Sequence, residues 1–280
     1  MLFVLFLFGG VGCLAGEPQL DFALLQGYRH DRQDFTISGP AGSPDVLSEL
    51  IFKDIDIYTT RLQGRVRKGR YFLEALGAYG HIFSGKVVDN DYCNSGRKGH
   101  YCHSKHHITG EYTADYAARL GIDCRALFFT VGYAGYYQKM RFKGGHGETD
   151  YSDLNSTFRT KWYGPEWGVG AKKAIHKRVE ASIFYRLIYP LCYHAKGHWN
   201  LREKGARGFS LTNSSRKSFG NTAGVAFEWN FFSHWKLGLQ YQFMKCYAKS
   251  GHMQITEGRV PLKRAHLTSN EVRLAISTIL

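Results

Sequence analysis

A chain of 280 residues with a formal net charge of +14 has room for one large domain or two ordinary ones, and its surplus of Lys and Arg selects acidic partners: phosphorylated lipid, sulfated sugar or nucleic acid. Its 18 Tyr, 19 Phe and 5 Trp, beside 6 Pro and 32 Gly, favour strands over helices. After the first residues no apolar run approaches the roughly 20 residues of a spanning helix, which excludes a helical membrane protein but not a membrane barrel, whose strands are only half apolar.

The chain opens on MLFVLFLFGGVGCLAG, a short apolar run ending in small residues. It reads as a secretory signal peptide over residues 1–16, with Cys13-Leu14-Ala15 as the cleavage site, although no Lys or Arg follows Met1. A lipoprotein anchor on Cys13 is the weaker alternative. Export excludes nucleic acid as the partner and leaves a membrane or a cell surface. It also permits disulfides among the six cysteines; Cys93 and Cys102 would close one short loop.

From Leu20 onward the apolar residues alternate with period two. Leu20, Phe22, Leu24 and Tyr28 share a face, as do Tyr112, Ala114, Tyr116, Ala118, Leu120 and Ile122. A third face runs from Val179 through Ile183, Tyr185 and Leu187 to Leu191 and Tyr193, and a fourth joins Trp235, Leu237, Leu239, Tyr241 and Phe243. The breaks give ten strands at 19–31, 47–66, 70–89, 108–124, 127–142, 157–174, 178–194, 212–231, 234–250 and 265–280. In LSELIFKDIDIY the apolar residues change face between Phe52 and Ile55, which predicts a bulge.

These runs are longer than the five or six residues of a sandwich strand and suit a tilted bilayer crossing. The predicted fold is therefore all-β, a ten-stranded antiparallel transmembrane barrel filling residues 17–280 as one domain. Short basic turns such as Arg67–Arg70 mark the periplasmic end. Long polar segments at 33–46, 90–107, 143–156, 195–211 and 251–264 read as outer loops. Tyr133, Tyr137, Trp162, Trp167, Trp229 and Trp235 read as interface belts. The inward face carries Asp115, Arg119, Glu180, Arg186 and Glu228, charges that would pair across a narrow lumen, so a small-solute channel is disfavoured.

Asp89 and Asp91, in GKVVDNDYC at the upper rim, stand two apart and would look into one space. Such a couple can hold and polarise a water, or be two solvated loop acids. His100, Cys102, His103, His106 and His107 in GHYCHSKHH are metal-ligand types, but their spacing fits no closed zinc pattern, so no metal is predicted. Arg97, Lys98, Lys105, Arg202, Lys204 and Arg207 are positioned to meet lipopolysaccharide phosphates or a host polyanion.

LSELIFK, SGKVVDNDY, the Gly-Pro of WYGPEWGVG and FYRLIYPLCYHAKGHWN resemble, in order and spacing, segments of the omptins, ten-stranded outer-membrane proteases. GYRHDRQDF, SELIFKDIDIY, YGHIFSGKVVDNDY and GHWNLREK resemble more closely still the Protochlamydia outer membrane protein family, which shares that architecture. The omptin resemblance implies Asp89 and Asp91 as the water-holding pair and His198 as the base. It sets His194 and Asp31 at substrate-binding positions. Lys196 stands where omptins carry the acid that orients the His, and a lysine, having donors only, accepts no ring N–H. Losing that third group costs about four orders of magnitude in a serine-protease analogue. The resemblance thus leads to a monomeric bacterial outer-membrane barrel that displays long basic outer loops in a structural or interaction role, such as an adhesin. Its partners are outer-membrane lipid and lipopolysaccharide, with a host polyanion or protein at the surface, and it needs no cofactor. An omptin-like endopeptidase is the alternative.

Overall fold

The computed structural model describes residues 17–148, 151–201, 208–213, 217–255 and 258–280; the predicted signal peptide lies outside them. Among the described residues the strands are β1 (Gln19–Ile37), β2 (Ser48–Lys68), β3 (Tyr71–Asn94), β4 (Lys98–Cys124), β5 (Leu127–Gly147), β6 (Asn155–His176), β7 (Val179–Ile188), β8 (Cys192–His198), β9 (Gly208–Asn213), β10 (Phe219–Asn230), β11 (Trp235–Ile255) and β12 (Gly258–Ile279). The order β10-β7-β6-β5-β4-β3-β2-β1-β12-β11 closes through a further β10–β11 pairing. β8 continues the line of β7 along β6, and β9 continues that of β10 along β11. The sheet is thus an antiparallel ring ten staves wide, two of them interrupted. Closure pairs the edges, the condition for a sheet in hydrocarbon.

The interruptions revise two predicted strands. The segment 178–194 stops at Ile188 and resumes at Cys192, because Pro190 has no N–H to give the ladder. Gly164 on β6 accommodates the break: a Cβ there would lie 2.4 Å from the Pro190 carbonyl oxygen. Leu191 and Tyr193, predicted on the outward face, consequently lie buried inside. The segment 212–231 likewise divides into β9 and β10.

The predicted outer loops are mostly strand. Of residues 90–107 only Ser95, Gly96 and Arg97 leave the ladder, as the turn between β3 and β4. Pairing continues there because the ladder needs partners, not apolar side chains. At the opposite end the turns are short, as predicted: Gly69-Arg70, Arg125-Ala126 and Lys177-Arg178.

Three neighbouring strands carry bulges at one height. The register of β2 on β3 shifts between Lys53 and Asp56, where Asp54 has φ 53°, and with it β3 slips around Ser84 and Gly85; β4 slips against β5 beside Gly110. One extra residue inverts which side chains face in. Below the bulge on β2, Ile57, Thr59 and Arg61 face in while Tyr58, Leu62 and Val66 are exposed; above it, Leu50 and Phe52 face in. The bulge read from the sequence is therefore present, and without it Leu50 and Phe52 would point outward.

The lower wall presents Phe22, Leu62, Leu120, Val131, Trp167, Leu239 and Leu274 outward, all exposed, as a hydrocarbon-facing belt requires. Its lumen is ionic: Arg29 pairs with Asp31 at 2.9 Å and Asp115 at 2.7 Å, Arg119 with Glu74 at 2.7 Å and Glu166, and Arg273 with Glu271. The upper lumen is apolar. Phe52 stacks on Phe158 at 4.8 Å, Phe158 on Phe35 at 5.5 Å, and Trp162 lies 4.2 Å from Tyr193. Trp162, read from the sequence as a belt residue, belongs to this packing at 1 % exposure.

Phe158→Ala should destabilise the refolded barrel by about 3–5 kcal/mol, the range for deleting a packed aromatic, in urea titrations in neutral detergent. A loss under about 1 kcal/mol would show that the upper lumen is not packed.

Candidate functional site

Asp89 and Asp91 share the inward face of upper β3 because the slip at Gly85 brings odd-numbered residues inside. Asp89 lies opposite Leu50 and Ser104, and Asp91 opposite Ser48 and Cys102. Both are half-buried. On β8, Tyr193, Ala195 and Gly197 are buried toward the lumen, which turns His194, Lys196 and His198 outward. His198 is exposed opposite Thr157 of β6 and Gly208 of β9. The carboxylates and the imidazole thus point to opposite sides of the wall, and the structure does not bring them together around one water.

The other site residues separate in the same way. Asp31 is wholly buried, bonded to Arg29 and to Gln138 Nε2 at 3.2 Å, a member of the ionic lumen layer rather than a rim pocket. His194 stacks outside on Tyr163, ring centroids 5.8 Å apart, and Lys196 is exposed opposite Arg159. The predicted Cys93–Cys102 bridge is not formed: both thiols are free, because Cys102 is registered against Asp91 and Cys93 lies beyond it toward the turn. Among the described residues no group of three or more His, Cys, Asp or Glu converges as a metal site.

What does converge beneath the rim acids is a node hidden in GHYCHSKHH. The slip beside Gly110 turns Ser104, His106 and Ile108 inward, all buried. Ser104 Oγ lies 2.8 Å from His106 Nε2, and His106 Nδ1 lies 2.7 Å from the Gly144 carbonyl oxygen. A carbonyl only accepts, so Nδ1 carries the proton and Nε2 accepts from the Ser104 hydroxyl. Tyr151 meets the ring edge-on at 4.9 Å, with Trp199 at 6.2 Å. The alternation of Ser104, His106 and Ile108 was readable in the sequence. The glycine slip that decides its direction was not.

Outside, just above the belt, cations line up across three strands. Lys139 of β5 lies opposite Arg159 of β6, which lies opposite Lys196 of β8, so neighbours are about 4.8 Å apart. One row lower, Tyr137, Lys161 and His194 are in register, with the Lys161 ammonium 5.8 Å over the Tyr137 ring. Glu111 pairs with Lys139 and Arg141, each at 2.9 Å. Arg159, Lys161 and Lys196 have no carboxylate within 4.0 Å among the described residues. Arg97, expected to be available to phosphates, is instead bound to Glu49 at 2.6 Å. Arg202, Lys204 and Arg207 lie outside the described residues.

A closed antiparallel ring with an apolar outer belt, aromatic residues at its border and ions inside is an outer-membrane β-barrel. The family model of the Protochlamydia outer membrane protein matches residues 23–280, and the chain belongs to that family, located in the outer membrane. In fold it is similar to the outer membrane protease OmpT from Escherichia coli, with a TM-score of 0.76 at 10% identity, covering 94% of this chain and 97% of that one. The toluene transporter TbuX of Ralstonia pickettii aligns at a TM-score of only 0.35, with 8% identity over 95% of this chain and 90% of its own. No curated protein matches the sequence.

Burial holds the His106 pKa below its ordinary 6.5, with His146 and His107 pushing the same way and the Gly144 carbonyl opposing. The unfolded chain then binds more protons than the folded one as pH drops from about 6.5 toward the lowered value, so stability falls on acidification through that window and is unaffected by this group above it. His106→Phe should flatten the decline, read as urea midpoints at pH 8, 6 and 5. Equal pH slopes in the two proteins would remove His106 as the cause.

Proposed function

We propose that this barrel is a structural and interaction protein of the bacterial surface that holds phosphorylated outer-leaflet lipid, lipopolysaccharide above all, against its outer wall. One observation carries the reading: Lys139, Arg159 and Lys196 form a row on the outer wall, one row above Tyr137, Lys161 and His194, with the exposed Tyr133 and Trp167 further down the same strands. A lipid whose chains lie along Tyr133 and Trp167 has its phosphates at that height. A row of cations one strand apart can contact several phosphate oxygens, with Arg159 supplying a bidentate fork. Lys196 is then one of three cations facing the same surface.

The endopeptidase alternative lacks comparable support, since Asp89 and Asp91 look inward and His198 outward. A small-solute channel would require Phe35, Phe52 and Phe158 to part. A role toward a host surface rests on the same outward cations, which a sulfated polymer would also meet.

Lys139→Gln, Arg159→Gln and Lys196→Gln combined should weaken binding of purified lipopolysaccharide to the refolded barrel at least tenfold, and the remaining affinity should depend less on salt. Binding unchanged by the triple substitution would refute the lipid site. In the same preparation a dibasic peptide should stay intact with lipopolysaccharide present. Cleavage abolished by His198→Ala would instead establish the protease.

A further inference from the structure

The short-turn end of the barrel opens into a vestibule of about 240 Å³ that narrows onto a floor of guanidinium groups. Arg61 of β2, Arg65 of β2, Arg119 of β4, Arg186 of β7 and Arg273 of β12 all line it. Their carboxylate partners are fewer. Glu74 holds Arg65 and Arg119, Glu166 holds Arg119, and Glu271 holds Arg273. Arg61 reaches only Glu271, at 3.7 Å, and Arg186 has no carboxylate within 4.0 Å among the described residues. The Arg186 guanidinium carbon lies over the Phe184 ring, 4.0 Å from its centroid.

Five guanidiniums in this layer thus share three carboxylates, Glu74 in the vestibule lining and Glu166 and Glu271 behind it, while nearer the turns the lining adds Asp21, Asp123, Glu180 and Glu228 with Arg67, Lys172 and Lys236. One layer further in, Arg29 is shared by Asp31 and Asp115, so the guanidiniums in excess of carboxylates are those of the layer that faces the vestibule. Hydrogen bonding leaves the same remainder. The Nε atoms of Arg61 and Arg273 are buried without a partner, and the Arg61 side chain is 7 % exposed. Leaving buried charged donors unsatisfied is costly, and an anion entering from the open side relieves that cost. The walls offer further donors suited to oxygen ligands, Gln63, Ser182 and Gln240.

We propose that this vestibule is a binding site for a small tetrahedral oxyanion of the phosphate or sulfate class, held by Arg61, Arg186 and Arg273. The anion bridges Arg186, which no Glu reaches, and Arg61, which only Glu271 approaches at 3.7 Å, and it shares Arg273 with Glu271. It enters from the periplasmic side, because the aromatic packing of Phe35, Phe52 and Phe158 fills the lumen above. The site is at the opposite end of the barrel from the outer row of Lys139, Arg159 and Lys196, and it shares no residue with it.

Isothermal titration of the refolded barrel in a neutral detergent at constant ionic strength, with sodium phosphate and then sodium sulfate against sodium chloride, tests the proposal. Saturable one-to-one binding of phosphate or sulfate, and none of chloride, is expected. Arg61→Gln with Arg186→Gln should weaken it at least tenfold, whereas the outer-row triple substitution should leave it unchanged. Because removing arginines from an ionic layer can impair folding, Gln240→Glu provides a second route: it keeps every guanidinium and adds a competing carboxylate, and should also weaken binding at least tenfold. No saturable binding to the wild-type barrel, or wild-type affinity in folded Gln240→Glu, would overturn the proposal. Loss of binding in the outer-row triple would relocate the anion to the lipid-facing surface and overturn it equally.

Discussion

Hydrocarbon around the lower wall dictates where every charge in this protein can go. A strand that crosses it must present one apolar face, as Tyr58, Leu62 and Val66 do on β2, and its alternate residues are then forced into a closed lumen. Charges confined there are tolerable only when paired. The clusters of Arg29 with Asp31 and Asp115, and of Arg119 with Glu74 and Glu166, are what such confinement produces. Above the belt water replaces lipid, and the arrangement inverts, with apolar residues inside and cations outside. The bulges at Asp54, Gly85 and Gly110 bring about part of that inversion within continuous strands.

The period-two runs made the ring legible from sequence alone, because a lipid-facing strand cannot hide its alternation. The bulge in LSELIFKDIDIY was also legible, since two apolar residues changed face within four positions. On β3 and β4 the same slip was hidden: around Gly85 both faces carry apolar residues, Ile82 and Phe83 before it and Val87 and Val88 after it, and before Gly110 histidines fall on both faces, so nothing in GHYCHSKHHITG tells which of His106 and His107 points inward. The break at Pro190 was underestimated for a related reason, as Leu191 and Tyr193 continue the apolar pattern of Tyr185 and Leu187 although the wall has turned them around. A pattern reports that a residue is apolar, not which apolar environment receives it.

The site suffered from this most directly. His198 can be laid on the omptin base without a gap, and Asp89 with Asp91 on the rim pair, yet the two sets occupy opposite faces of the wall. Lys196, which on that alignment is a defect, is on the outer surface a natural neighbour of Arg159. Similarity of fold to OmpT at 10% identity is compatible with either chemistry. The side chains set one row of cations, Lys139, Arg159 and Lys196, on the outer face of the upper wall, and a layer of guanidiniums at the short-turn end.

Neighbouring residues of β8 report most directly the direction in which the upper wall faces. In a background with Cys93, Cys102, Cys124, Cys192 and Cys246 replaced, Ala195→Cys and Lys196→Cys can be exposed to a bulky water-soluble maleimide in the folded barrel. Rapid labelling at position 196 with protection at 195 until unfolding is the predicted result. Labelling at 195 with protection at 196 would turn His194 and His198 toward the lumen, and contradict the separation of acids from base on which the functional reading stands.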